Sequence, residues 1–267
     1  KLIMFKYYML FIFAVVELRL VPGSQYGFWC KDPALSYPFT GDTISWKWLM
    51  AVCILLPLVV MLFVERTLTE DKQRAKSRAL RWYTEYMFGF IINLTVVQLL
   101  KLIVGSPRPH FFDTCKPLEA DTCAESEFIS SYSCSKAYWI NQSDRSFPSG
   151  HTSLAVHAAI FIIYYLHRRV PASRARAAQA ACAASAVYCA GSRMTDHRHH
   201  WWDVAAGAAI GGVVLAYTIL HLCRSFQCST DKVSNSAVGE GMKTETEKKI
   251  KTSTHEGPTE PLVHKAT

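Results

Sequence analysis

Charge is scarce in this sequence. Asp, Glu, Lys and Arg make up 19% of the 267 residues, against 50% hydrophobic, and they stay out of long apolar runs. The stretch Trp48–Val64 contains no charged residue. Such uneven patterning argues against a water-soluble globular core and for a membrane protein. Other absences narrow the function. No segment interleaves basic and aromatic residues as a nucleic-acid module would, so the net charge of +8 reads as topology signal and tail. No Cys or Glu completes a metal-ligand set around His197, His199 and His200, and the adjacent Arg193 and Arg198 would repel a cation. Charges at the midplane of broken helices, which a transporter would need, are missing too.

Six candidate spans emerge: Leu2–Leu20, Trp48–Val64, Tyr83–Val104, Thr152–Leu166, Ala175–Gly191 and Val204–Cys223. They predict an all-α integral membrane protein, a six-helix bundle over residues 1–223. Pro57 inside the second span is tolerable where neighbouring helices satisfy the freed carbonyl. The first span is interrupted by Lys6, Glu17 and Arg19 and also fits the apolar core of a signal peptide. No small-residue cleavage site follows it, which favours a span. Starting at Lys1 without Met, the sequence reads as processed or as a fragment.

Basic residues set the orientation. The stretches "ERTLTEDKQRAKSRALRW" and "HRRVPASRAR" read as cytoplasmic loops. That leaves Val21–Lys47, Gly105–Gly150 and Ser192–Asp203 on the outer side. These segments hold Cys30, Cys115, Cys123 and Cys134, an even set suited to disulfides in an oxidising compartment. Asn141 opens a glycosylation acceptor, "NQS". Cys223 and Cys228 are candidate palmitoylation sites, and residues 224–267 read as a disordered cytoplasmic tail. Gly207 and Gly211 are spaced for close helix packing, within the bundle or in a homo-oligomer.

Three polar islands fall at one membrane surface: "KLIVGSPRP" with Lys101 and Arg108, "SFPSGHTS" with Ser149, Gly150 and His151, and "SRMTDHRHHWWDV" with Ser192, Arg193, His199 and Asp203. Ionisable groups at membrane depth are costly and mark function. Three cations with few carboxylates beside them call for an anion, and guanidiniums match phosphate oxygens bidentately. A helix opening at Gly150 adds backbone N–H groups and its dipole. His199 lies four residues before Asp203, so a carboxylate can orient its ring and support a growing positive charge, as in a serine-protease triad. Such a His can attack phosphorus. His151, from another loop, can protonate the leaving oxygen.

The islands match the three-part signature of the type 2 phosphatidic acid phosphatase (PAP2) superfamily: K-x6-RP, PSGH and SR-x5-H-x3-D, eleven fixed positions in order. "GFWCKDPALSYPF", "PRPHFF" and "HHWWDVAAG" resemble the animal lipid phosphate phosphatases in particular, and the likeness runs from about Gly27 to Val214. The resemblance implies a six-helix, Mg²⁺-independent phosphatase acting on phosphatidate, lysophosphatidate, sphingosine 1-phosphate or ceramide 1-phosphate through a phosphohistidine. It implies His199 as nucleophile, Asp203 as its orienter and His151 as general acid. Lys101, Arg108, Ser149, Gly150, Arg193 and Ser192 would hold the phosphate, with no cofactor or metal. The plasma membrane suits an outward-facing site, and ER or Golgi membranes share that face. Two other readings remain: a lipid-phosphate-binding protein without catalysis, and a phosphatase for a sugar or polyprenyl phosphate.

Overall fold

In the computed structural model, residues 11–12, 23–136 and 140–222 are described. Apart from residues 11 and 12, the expected first span lies outside them, as do Cys223, Cys228 and the tail 224–267. Five long helices form the body: α1 Trp46–Leu68, α2 Lys72–Val104, α3 Gly150–Arg169, α4 Ala172–Thr195 and α5 Trp201–Tyr217, the last running into a π-turn over Thr218–Leu222. α3 is the hub and packs against each of the other four. α1, α2 and α5 (through His221) are long and apolar enough to cross a membrane. α3 and α4 occupy the places of the fourth and fifth expected spans but are less apolar. α3 carries polar side chains into the bundle, and α4 is diluted by Ala and Ser.

The expected long loop after the second span is mostly helix. α1 continues to Leu68, and α2 begins at Lys72, well before Tyr83. Asp71 caps the new start, its carboxylate accepting from Gln73 and Arg74 N–H, which favours helix by about 1 kcal/mol. The second basic stretch likewise narrows to Val170 and Pro171 between α3 and α4. Charge alone does not break a helix; it moves the helix beyond the apolar layer. Glu65 and Arg169 join α1 to α3 there by two bonds of 2.7 and 2.8 Å, with Tyr165 donating to the same carboxylate. Glu65 is fully buried and Arg169 is 24% exposed, so the costly loss is that of Arg169, which would leave the carboxylate unpaired at about 3–5 kcal/mol.

Small residues let the functional end of the bundle close tightly. A β-carbon at Gly207 would run into the Ser149 carbonyl, and one at Gly211 into that of Ser153. The Gly207/Gly211 stripe is therefore used inside the chain, between α5 and α3. Ser153 also donates to Asn93 Oδ1 at 2.7 Å and Asn93 returns a bond to the Ser153 carbonyl, so α2 is keyed to the same turn of α3.

Residues 23–45, 105–136 and 140–149 form a cap over the end where α2 and α4 finish and α3 and α5 start. α2 stops at Gly105, in the left-handed region at φ 58°, with the Ser24 carbonyl where a side chain would sit. Ser24 N–H donates to the Leu102 carbonyl at 2.8 Å, stitching the cap to α2. A two-stranded antiparallel ribbon pairs β1 Phe28–Trp29 with β2 Phe128–Ile129. Disulfides join Cys30 to Cys123 and Cys115 to Cys134. Phe28, Leu35, Phe111 and Tyr132 fill a small core beneath the ribbon, each burial stabilising by about 1.5–3 kcal/mol.

Candidate active site

Lys101 in the last turn of α2, Arg108 in the loop after it, Gly150 and His151 in the first turn of α3, Arg193 in the last turn of α4, and His199 just before α5 all line one cavity of about 330 Å³. Lys101 and His199, 98 positions apart in sequence, thus share one volume because four helix ends meet under the cap.

The walls are cationic. Lys101 Nζ donates to the Arg145 carbonyl at 2.8 Å, and Arg108 Nη2 reaches that carbonyl at 3.3 Å. Burial, then the Arg198 guanidinium, pushes Arg108 down to about 9, with Asp42, Asp203 and Asp144 opposing, so it stays charged at neutral pH. Arg198 is lowered by burial too, with Asp42 opposing. Two buried guanidiniums that raise each other's cost are stabilised by an anion placed between them.

His199 is 4% exposed. It is anchored where its own N–H and that of Arg198 both donate to the Arg193 carbonyl, at 3.2 and 3.0 Å. Its Nδ1 lies 3.7 Å from Asp203 Oδ2, longer than a hydrogen bond. The same Oδ2 accepts from Ser146 Oγ at 2.6 Å and from His200 N–H at 3.0 Å, and lies 3.4 Å from His200 Nδ1. Asp203 is thus a shared anchor, fixed by Ser146 and the start of α5, with His199 a short movement away. Bonds of this kind commonly tighten only when substrate arrives.

Burial holds the His199 imidazole well below its ordinary pKa; Asp203 opposes this, and Arg108 and Lys101 add to it. In the empty site the ring is therefore neutral, the form that can attack. A lowered pKa moves protonation to more acid pH, so kcat/KM should show no His199 inflection at the ordinary imidazole value of about 6.5. The check is a pH–rate profile corrected for the substrate's own second ionisation near about 6, titrated in the same micelles. An enzyme inflection assigned to His199 that remains at about 6.5 would mean that burial does not lower its pKa.

His151 Nε2 lies 3.1 Å from the Ile44 carbonyl. A carbonyl only accepts, so that nitrogen carries the proton. Trp46 packs edge-on against the ring at 5.6 Å. Two expected phosphate ligands make bonds within their own helices: the Ser149 hydroxyl as acceptor, the Ser192 hydroxyl as acceptor and donor. Ser149 Oγ caps α3, accepting from Thr152 N–H and Thr152 Oγ1. Ser192 Oγ accepts from Arg193 Nε and Nη2 and donates to the Cys189 carbonyl, so it steadies the arginine.

Asp42, Gln142, Arg145 and Arg198 also line the cavity, and the sequence pattern assigned none of them to it. Arg198 donates to Gln142 Oε1 at 3.0 Å and to His110 Nε2 at 3.2 Å. His110 accepts there, and burial followed by Arg108 and Arg198 pushes it down to about 3, so it is a neutral acceptor. Gln142 and Ser143 belong to the "NQS" triplet, whose Ser143 hydroxyl is buried and bonded to Thr114 at 2.7 Å. The triplet therefore also builds the site wall, while the Asn141 side chain lies outside the described residues. Among the described residues, no group of three or more His, Cys, Asp or Glu is arranged to hold a metal ion.

A family model described as "PAP2 superfamily" matches residues 82–225, the part of the chain that carries all three islands. A Drosophila melanogaster relative is 28% identical over 248 residues, covering 79% of this chain and 65% of its own, so the chain spans just under two thirds of that protein. "Phospholipid phosphatase homolog 1.2 homolog" of Caenorhabditis elegans is 29% identical over 229 residues, 76% of this chain and 67% of its own. "Phospholipid phosphatase 1" of Rattus norvegicus is 26% identical over 229 residues, 80% of this chain and 81% of its own. No solved structure matches.

Proposed function

The chain belongs to the PAP2 superfamily, and we propose that it is a membrane-embedded lipid phosphate phosphatase working without metal. One observation carries this reading: His199 and His151 line the same small cavity with Lys101, Arg108 and Arg193. A nucleophile, a proton donor and a set of cations are the parts phosphoryl transfer needs, because its chemistry is mainly positioning and charge stabilisation.

His199 Nε2 attacks phosphorus in line as the bond to the lipid oxygen breaks. His151, charged once the phosphate sits beside it, gives that oxygen a proton. A neutral alcohol leaves and phosphate remains on His199. Water, deprotonated by His151, then attacks phosphorus, and the breaking N–P bond returns its electrons to the ring. The cations and the first turn of α3 hold the equatorial oxygens throughout, so vanadate should inhibit as a mimic of the five-coordinate state.

The substrate class is the lipid phosphates: phosphatidate, lysophosphatidate, sphingosine 1-phosphate or ceramide 1-phosphate. An apolar cavity of about 380 Å³ between α1, α3 and α4 supports this. It is lined by Leu49, Leu56, Ala158 and Ile162 and reaches Thr43 and Ile44, beside the catalytic cavity. A lipid tail resting there would leave its phosphate at the helix ends. The reading includes six spans, the site on the exoplasmic face, and the plasma membrane as the first place to look. A homo-oligomer would use a face other than the Gly207/Gly211 stripe.

The test is phosphate release from phosphatidate in detergent micelles containing EDTA. The expected result is turnover undiminished by the chelator. Turnover that EDTA abolishes and Mg²⁺ restores would overturn the metal-free chemistry. Absence of release from all four lipid phosphates would favour a binding protein or a sugar-phosphate or polyprenyl-phosphate substrate.

A further inference from the structure

Arg193 has little left to offer an incoming phosphate. It is fully buried. Its Nε donates to Ser192 Oγ at 3.2 Å, and its Nη2 to Ser192 Oγ at 3.1 Å and Asp196 Oδ2 at 2.8 Å. Its Nη1 donates to Asp42 Oδ1 at 2.8 Å. A guanidinium has five N–H bonds, so one on Nη1 remains. Asp42 Oδ1 also lies 3.1 Å from Arg198 Nε. Among the described residues lining the cavity, Asp42 is the sole carboxylate, facing Lys101, Arg108, Arg145, Arg193 and Arg198.

The two carboxylates on Arg193 are held differently. Asp196 is locked: Thr43 N–H and Thr43 Oγ1 both donate to it, at 2.8 and 2.6 Å, and its side chain is 11% exposed. Asp42 is 26% exposed, and the partners shown for its carboxylate are guanidiniums. If one of the two yields to a phosphate, it is Asp42.

We propose that Asp42 is the resident counter-anion of this phosphate site, a selectivity residue that an incoming phosphate monoester displaces from Arg193 and Arg198. The proposal rests on the reading of the cavity as a phosphate site. A carboxylate in the empty site balances buried guanidiniums that would otherwise bear an uncompensated charge. It also sets a threshold for entry. Replacing a singly charged carboxylate by a phosphodiester leaves the charge balance unchanged, whereas a phosphomonoester dianion adds one negative charge among the cations. In a bilayer crowded with diester head groups, that difference selects the monoester.

The experiment is thermal unfolding of the full chain in detergent against increasing inorganic phosphate or dimethyl phosphate, comparing the unchanged protein with Asp42→Asn, Asp42→Ser and Asp42→Glu. Asp42→Asn and Asp42→Ser should show the same shift at about fivefold lower phosphate or less, roughly one charge–charge contact near a surface. They should also gain a response to dimethyl phosphate, while Asp42→Glu behaves like the unchanged protein. Unchanged or weaker phosphate binding in Asp42→Asn would overturn the proposal and make Asp42 a brace for the arginines. Failure of both neutral variants to fold even with phosphate present would overturn it too, since phosphate would then be unable to take the place of the carboxylate. No phosphate response in the unchanged protein would remove the phosphate-site reading itself, and the proposal with it.

Discussion

Replacing His199 with Ala should lower phosphate release from phosphatidate by about 10⁵-fold or more, the scale on which removing an attacking nucleophile is felt. The other cavity residues described that bear chemistry are cations, amides, the proton-bearing His151, and the Asp42 carboxylate, which is paired with Arg193 and Arg198. A second readout separates lost chemistry from lost structure. Enzyme quenched during turnover of ³²P-labelled phosphatidate should carry label with the stability of phosphohistidine, labile in acid and stable in base. His199→Ala should carry none while still showing the phosphate-induced thermal shift, since Lys101, Arg108 and Arg193 are untouched. Activity within about tenfold of the unchanged protein would be too small a loss for a nucleophile and would sink its assignment.

The second large effect belongs to His151. His151→Ala should slow hydrolysis of a lipid phosphate by about 10²–10⁴-fold, because an alkoxide leaves poorly without a proton. The sign of the substrate dependence is the sharper test. p-Nitrophenyl phosphate has a leaving group that needs no acid, so the variant should release one equivalent of nitrophenol in a burst. It should then stall, because the water that frees His199 still lacks its base. Equal losses on both substrates with no burst would assign His151 to binding. The Ile44 carbonyl at 3.1 Å keeps the proton of the empty site on Nε2, so the ring takes up a second proton before it acts as acid.

Much of this site is legible in the sequence. Lys101, Arg108, Gly150, His151, Arg193 and His199 sit in short motifs, each tied to a helix end that local signals announce. Gly105 stops α2, Ser149 caps α3, and Asp203 accepts from the His200 N–H at the first turn of α5. Helix limits on the opposite side were less legible. A run of Lys, Arg and Glu looks like a loop when polarity is the only measure, but it continues α1 and α2 because those residues are good helix formers with a capping Asp71.

The sequence by itself determined which groups can do chemistry and which segments are apolar, since both follow from residue type and local spacing. Tertiary structure decided which groups meet. Asp42, Gln142 and Arg145 join the site because the cap is pinned by its disulfides, its aromatic core and the bond from Ser24 to Leu102. No local pattern assigns them to a phosphate site. Structure also directed Ser149 and Ser192 to the backbone and to Arg193, and divided Asp203 between Ser146 and two histidines. A hydroxyl or carboxylate has several partners within reach of its own motif, and only the packing of four helix ends selects among them.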